Sequence, residues 1–135
     1  MLSPYELPNV VNSDSRGVLT ACEISKLTNI SFQRYFVISH VIGGMRGGHA
    51  HKFTHQVIDC LSGSFLLSAE YNNTAHKFYM NQSSNPIFTP ALTWVDMTNI
   101  SSDCIILVLS SDEYNISNSI RNYTEFCDYI KSTKA

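Results

Sequence analysis

The chain has 135 residues, of which 44% are hydrophobic and 15% charged, and a formal net charge of -2. That length suits one domain spanning residues 1–135 with a single substantial core, and the apolar content excludes a disordered chain. The near-neutral charge and the lack of any Lys/Arg run argue against nucleic acid or an anionic membrane as partner. No stretch reaches the ~18 apolar residues of a membrane span, and the opening MLSPYELPNV lacks the basic region and apolar run of a secretory signal. Cys22, Cys60, Cys104 and Cys127 are widely spaced with no CxxC pair, as expected of reduced, mostly buried thiols in a cytoplasmic chain.

In chain order, Glu6 to Val11 reads as a first edge strand, where Pro8 is tolerated because an edge can spare a donor. NSDSRG, Asn12 to Gly17, is a dense turn, and a strand resumes from Val18 to Glu23. Arg34 to Ile42 is rich in aromatic and β-branched residues and predicts a strand, with Tyr35 and Val37 on one face and Phe36 and Ile38 on the other. Gly43 to Gly63, GGMRGGHAHKFTHQVIDCLSG, then reads as turn, strand, short break, strand and turn, and it holds three of the five histidines. Successive strand side chains alternate, so His49 and His51 look into one space while Ala50 points away. Glycines at 43, 44, 47 and 48 let the backbone turn sharply just before them.

Strands are further predicted at Gln56 to Leu61, Ser64 to Tyr71, His76 to Met80, Ile87-Phe88, Thr93 to Met97 and Cys104 to Leu109, with an Asn72-Asn73 hairpin turn. Short strands at such intervals indicate an all-β sandwich or barrel, with the unbroken apolar CIILVL deep in its core. Ser119 to Ile130 places Ile120, Tyr123, Cys127 and Ile130 at helical spacing, an amphipathic helix closing one end of the barrel.

A lone strand histidine is usually structural. Two on one face, preceded by Arg46 and a glycine cluster, point instead to a concave site that collects polar groups. The spacing from Gly43 through His49, His51 and Gln56 to Gly63 reproduces the first motif of the cupin superfamily, and the chain resembles its small jelly-roll barrels. Metal-binding cupins carry a glutamate at the position of Gln56 and a further histidine in a second motif. In PALTWVDM, Pro90 to Met97, Val95 stands at that place. A neutral amide is a poor ligand and valine is none, so a metal-free site without cofactor is expected. His55 could serve as a third ligand if no bulge intervenes in the strand, which keeps a metal-dependent cupin oxygenase as an alternative.

Within the cupins, DSRG at Asp14 to Gly17, RGGHAHK at Arg46 to Lys52, Gln56, LSGS at Leu61 to Ser64, the Trp94 segment, VLSSDEY ending at Tyr114 and SIRNYTEF at Ser119 to Phe126 resemble the WxcM-like family. That family includes the sugar nucleotide 3,4-ketoisomerases. The resemblance implies a homodimeric, metal-independent cupin that converts a dTDP-linked 4-keto-6-deoxyhexose to its 3-keto isomer, on the way to an amino sugar of surface polysaccharide. The carbonyl at C4 acidifies the hydrogen on C3, so histidine, which titrates near neutral pH, can take that proton and return it at C4. On this reading His51 is the carbon acid/base and His49 orients it or manages the oxygen protons. Arg16 and Arg46 are candidates for the diphosphate or sugar hydroxyls, Gln56 for a hydrogen bond, and Trp94 for a site wall or base stack. Ketoisomerases of the family commonly carry a tyrosine at the position of Val37. Tyr35, two residues away on the same face, is the candidate substitute. A non-catalytic sugar-nucleotide-binding module is the other alternative.

Overall fold

The computed structural model describes residues 3–133. Its strands are β1 (Tyr5–Glu6), β2 (Val10–Asp14), β3 (Gly17–Ala21), β4 (Arg34–Ile38), β5 (Arg46–His51) and β6 (Gln56–Ser62). They continue as β7 (Ser64–Tyr71), β8 (Thr74–Asn81), β9 (Ile87–Thr89), β10 (Trp94–Thr98), β11 (Ile105–Ser110) and β12 (Ser119–Ile120). Helix α1 spans Ile24–Thr28 and helix α2 spans Tyr123–Thr133. One five-stranded sheet runs β1-β9-β6-β11-β4 and faces a second, β12-β5-β10-β7-β8, while β2 and β3 form a separate two-stranded sheet. All pairings are antiparallel. The expected all-β jelly-roll sandwich with a C-terminal helix is the architecture observed.

Period-two burial explains the two layers. In β7, Phe65, Leu67 and Ala69 are buried, and in β11 Ile106, Val108 and Ser110 are, so each strand turns one face inward. Ile58, Leu67, Met80, Ile87, Val95 and Ile106 meet in the main core between the sheets. A second cluster, Ala50, Trp94, Ile120 and Phe126, lies under α2. Asn72 and Asn73 take φ of 52° and 64°, the left-handed pair of the tight β7–β8 hairpin.

Several boundaries differ from expectation. The first edge strand is interrupted: β1 stops at Glu6, Leu7 donates its N–H to the Pro86 carbonyl at 2.8 Å, and β2 starts only at Val10. Pro8 has no N–H to offer a ladder and restricts the residue before it. The 12–17 turn contracts to Ser15-Arg16, because β2 and β3 zip as far as Asp14↔Gly17. Strand β4 ends at Ile38, and His40, Gly43 and Gly44 take positive φ in the loop that follows. Helix α1, unforeseen in the sequence, closes on Asn29 at φ 58°. Ser119–Ile120 is strand rather than helix and pairs with His51 and Ala50. The helix starts after Asn122, whose side-chain oxygen accepts the Glu125 N–H at 3.0 Å. Among the described residues no helix is long and apolar enough to cross a membrane.

Candidate active site

Strand β5 carries the site. It lies between β10 and β12, and its second residue is possible only as glycine: Gly47 has φ +95°, and a Cβ there would stand 2.7 Å from the Val95 carbonyl oxygen. This close approach accompanies a register shift between Val95 and Asp96. Beyond it the strand alternates regularly. Ala50 is buried toward α2, while His49 and His51 line a cavity of about 610 Å³ between the sheets. Their ring centroids are 5.1 Å apart at 85°, edge to face.

Among the described residues neither His51 nitrogen, both buried, has a hydrogen-bond partner. Burial, then the neighbouring His49, Arg121 and Arg34, push its pKa down to about 4, with Asp112 opposing. Burial also lowers His49, but the Gly47 carbonyl and the Asp96 carboxylate favour its protonated form, against Arg121 and Arg46. Both rings are therefore neutral near pH 7 and able to accept a proton.

Arg46 and Gln56 line the same cavity, as expected. The Gln56 amide donates to the Ser110 hydroxyl at 3.2 Å. Three predicted residues lie elsewhere. Tyr35 is 68% exposed on the outer face of β4 together with Val37, while Arg34, Phe36 and Ile38 form the inner face. The position where the tyrosine was expected thus points out of this chain's cavity, and Tyr35 cannot substitute there. Trp94 packs on Tyr123 and Phe126 under α2 and donates its N–H to Asp96 at 3.0 Å; it does not line the cavity. Arg16 sits at the β2–β3 tip, paired with Asp14 at 2.7 Å and exposed.

Arg34 and Arg121, which the sequence offered only as dispersed arginines suited to small anionic ligands and not as site residues, also line the cavity. The Arg34 guanidinium lies 4.8 Å from the Phe36 ring and 5.3 Å from that of Tyr114. With Arg46 these make three guanidiniums without an acidic ion-pair partner among the described residues, a setting for phosphate oxygens. The alternation that placed Phe36 and Ile38 together already put Arg34 on their face. Arg121 had a weaker signal, since helical spacing made it a surface residue.

His55 does not serve as a third ligand: its Nδ1 accepts the Ala91 N–H at 3.0 Å and its ring stacks on Phe88. Val95 sits opposite His49 within the core. Among the described residues no three His, Cys, Asp or Glu side chains gather to hold a metal ion, so the donor set does not fit one.

Known proteins carry the same plan. Residues 3–131 match the family described as WxcM-like, C-terminal (FdtA). The TDP-4-oxo-6-deoxy-α-D-glucose-3,4-oxoisomerase of Aneurinibacillus thermoaerophilus is 36% identical over 118 residues, covering 87% of this chain and 85% of that one. A 3,4-ketoisomerase from Helicobacter canadensis superposes with a TM-score of 0.89 at 29% identity, over 97% of this chain and 99% of that one. A mutant 3,4-ketoisomerase from Thermoanaerobacterium thermosaccharolyticum, in complex with TDP-4-keto-6-deoxyglucose, gives 0.88 at 27% over 98% and 96%. With a family match along nearly its whole length and the paired histidines on their glycine-led strand, the chain belongs to the WxcM-like, C-terminal family.

Proposed function

We propose that this protein is a sugar nucleotide 3,4-ketoisomerase that converts a dTDP-4-keto-6-deoxyhexose to its 3-keto isomer, supplying a keto group for a following aminotransferase. The observation that carries this is the His49–His51 pair, neutral and partly without partners, on the wall of a cavity with three unneutralised arginines. The relatives named above act on, or bind, a ligand of this class.

One imidazole takes the C3 proton, leaving an enediol between C3 and C4, and returns it to C4; a second proton moves from O3 to O4. The base on carbon must become an imidazolium. At His49 the Gly47 carbonyl and the Asp96 carboxylate favour that form against Arg121 and Arg46, whereas at His51 Asp112 alone does so against His49, Arg121 and Arg34. This favours His49 for the carbon step and His51 for the oxygen protons, the reverse of the division read from sequence. Arg34, Arg46 and Arg121 hold the diphosphate or sugar oxygens, and Gln56 a hydroxyl.

Incubation with TDP-4-keto-6-deoxyglucose in D₂O tests the reading. The wild type is expected to form 3-keto product and to place deuterium at C3 or C4. His49→Asn is expected to lose at least ~10²-fold in rate, the scale of a general base. Binding without product or exchange would identify a non-catalytic binding module instead. Full activity in both His49→Asn and His51→Asn would refute the mechanism.

The reading extends to a homodimer in the cytoplasm. A two-stranded ribbon is marginal alone, yet among the described residues β2–β3 pairs with no other strand and exposes Val10, Val11, Val18 and Leu19. Strand β4 meanwhile ends its sheet, with one edge unpaired among the described residues. A second copy covering these apolar residues satisfies both, and would carry Arg16 toward a neighbouring cavity. Four free cysteines among the described residues suit a reducing compartment.

A further inference from the structure

Part of the cavity wall is built from polar groups that the proton transfers above leave unused. Thr54 is 4% and Asn118 2% exposed. Asn118 donates its amide N–H to the Thr54 hydroxyl, and that hydroxyl donates to Asp112 Oδ2 at 2.9 Å. The Ser111 hydroxyl accepts the His55 N–H at 2.9 Å and donates to the same carboxylate oxygen at 3.3 Å. Backbone groups anchor the other end: the Phe53 N–H reaches Asn118 Oδ1 at 3.0 Å, and the Lys52 N–H its carbonyl at 2.8 Å. Each hydroxyl has one donor behind it and must point its own hydrogen at Asp112. The network converges on one carboxylate. Its second oxygen has no hydrogen-bond partner among the described residues, and Asp112 lines the cavity.

Thr54 and Asn118 are buried but hydrogen-bonded within this network, and the two hydroxyls fix the carboxylate of the more exposed Asp112 at the cavity wall. We propose that Asp112 is a positioning residue for His51, its fixed carboxylate supplying the negative charge that sustains the ring while it carries the proton from O3 to O4. This rests on the ketoisomerase reading. The balance is closed within the substrate: the O3–H bond breaks, His51 holds the proton, and an O4–H bond forms. The charged groups around His51 make the carboxylate necessary. His49, Arg121 and Arg34 oppose its protonation, Arg46 adds a further positive charge on the wall, and Asp112 and Glu113 are the carboxylates among the lining residues.

The test is Asp112→Asn in the full chain, which keeps an acceptor for both hydroxyls and removes only the charge. Followed by NMR in protein without substrate, the His51 ring is expected to titrate roughly one pH unit lower than in the wild type, the effect of losing one nearby opposite charge. In turnover, kcat/KM is expected to fall on the order of tenfold, the rate equivalent of one unit, with its acid limb shifted the same way and KM unchanged. A titration midpoint that stays put or rises in the folded variant overturns the proposal. If Asp112→Asn does not fold, Thr54→Val, which unties one of the two hydroxyls, takes its place; a smaller shift of the same sign supports the role and no shift rejects it. Absence of turnover in the wild type would sink the ketoisomerase reading, while the NMR titration would still judge the Asp112–His51 coupling on its own.

Discussion

Burial of the His51 imidazole, whose nitrogens have no hydrogen-bond partner among the described residues, costs its charged form more than its neutral one. That cost has a pH dependence whose sign is fixed. The native pKa of His51 is pushed down to about 4 from 6.5, so between those values the unfolded chain binds a proton that the native chain does not. Stability is therefore full above about pH 6.5 and drains away as pH falls toward 4. Thermal melts across this window are expected to show Tm falling with acidification, and His51→Asn is expected to flatten that slope. An equally steep slope in the variant would mean that other groups, His49 and His55 among them, carry the effect.

At this scale the site was partly legible. Alternation along RGGHAHK set His49 and His51 on one face, and Arg46 and Gln56 fell beside them. The misplacement of Tyr35 has a specific cause: RYFVI is apolar on both faces, so period two separates the faces without telling which is inner. Trp94 failed for a related reason, because α2 gives the outer side of β10 a core of its own.

Among the elements, β5 shows how much geometry rests on one backbone position. Gly47→Ala would set a Cβ 2.7 Å from the Val95 carbonyl oxygen at a φ of +95°. It is expected to cost more than ~1 kcal/mol, the scale of alanine at a positive φ, and to move both histidines off the cavity wall. Denaturant melts and activity of the variant check this. Unchanged stability and turnover would show that β10 yields easily. The strand series itself was readable from period and turn chemistry, with Ser64–Tyr71 matching in full. Boundaries failed where a single residue overrode the pattern, as Pro8 did by removing a donor and Asn122 by capping a helix that periodicity had begun at Ser119. Helix α1, at five residues, is too short to show a period.

For the molecule as a whole, the exposed β2–β3 ribbon is the feature a lone chain explains least. Burying a valine or leucine is worth ~1.5–3 kcal/mol, so covering Val10, Val11, Val18 and Leu19 supplies a large part of what a stable dimer needs. Sedimentation is expected to show a dimer, and Val18→Lys with Leu19→Lys a monomer. If Arg16 works in a neighbouring cavity, the same double variant is expected to lose activity with the monomer fold retained. A wild type that sediments as a monomer would refute the dimer.

The two residues of β12 cover the outer edge of the histidine strand, immediately ahead of α2. Truncation before Ser119 would therefore do more than trim a tail. It would uncover the edge of the histidine strand at Ala50 and His51, inviting strand-to-strand clumping between molecules. For protein engineering, this makes the C-terminal segment a poor place to cut.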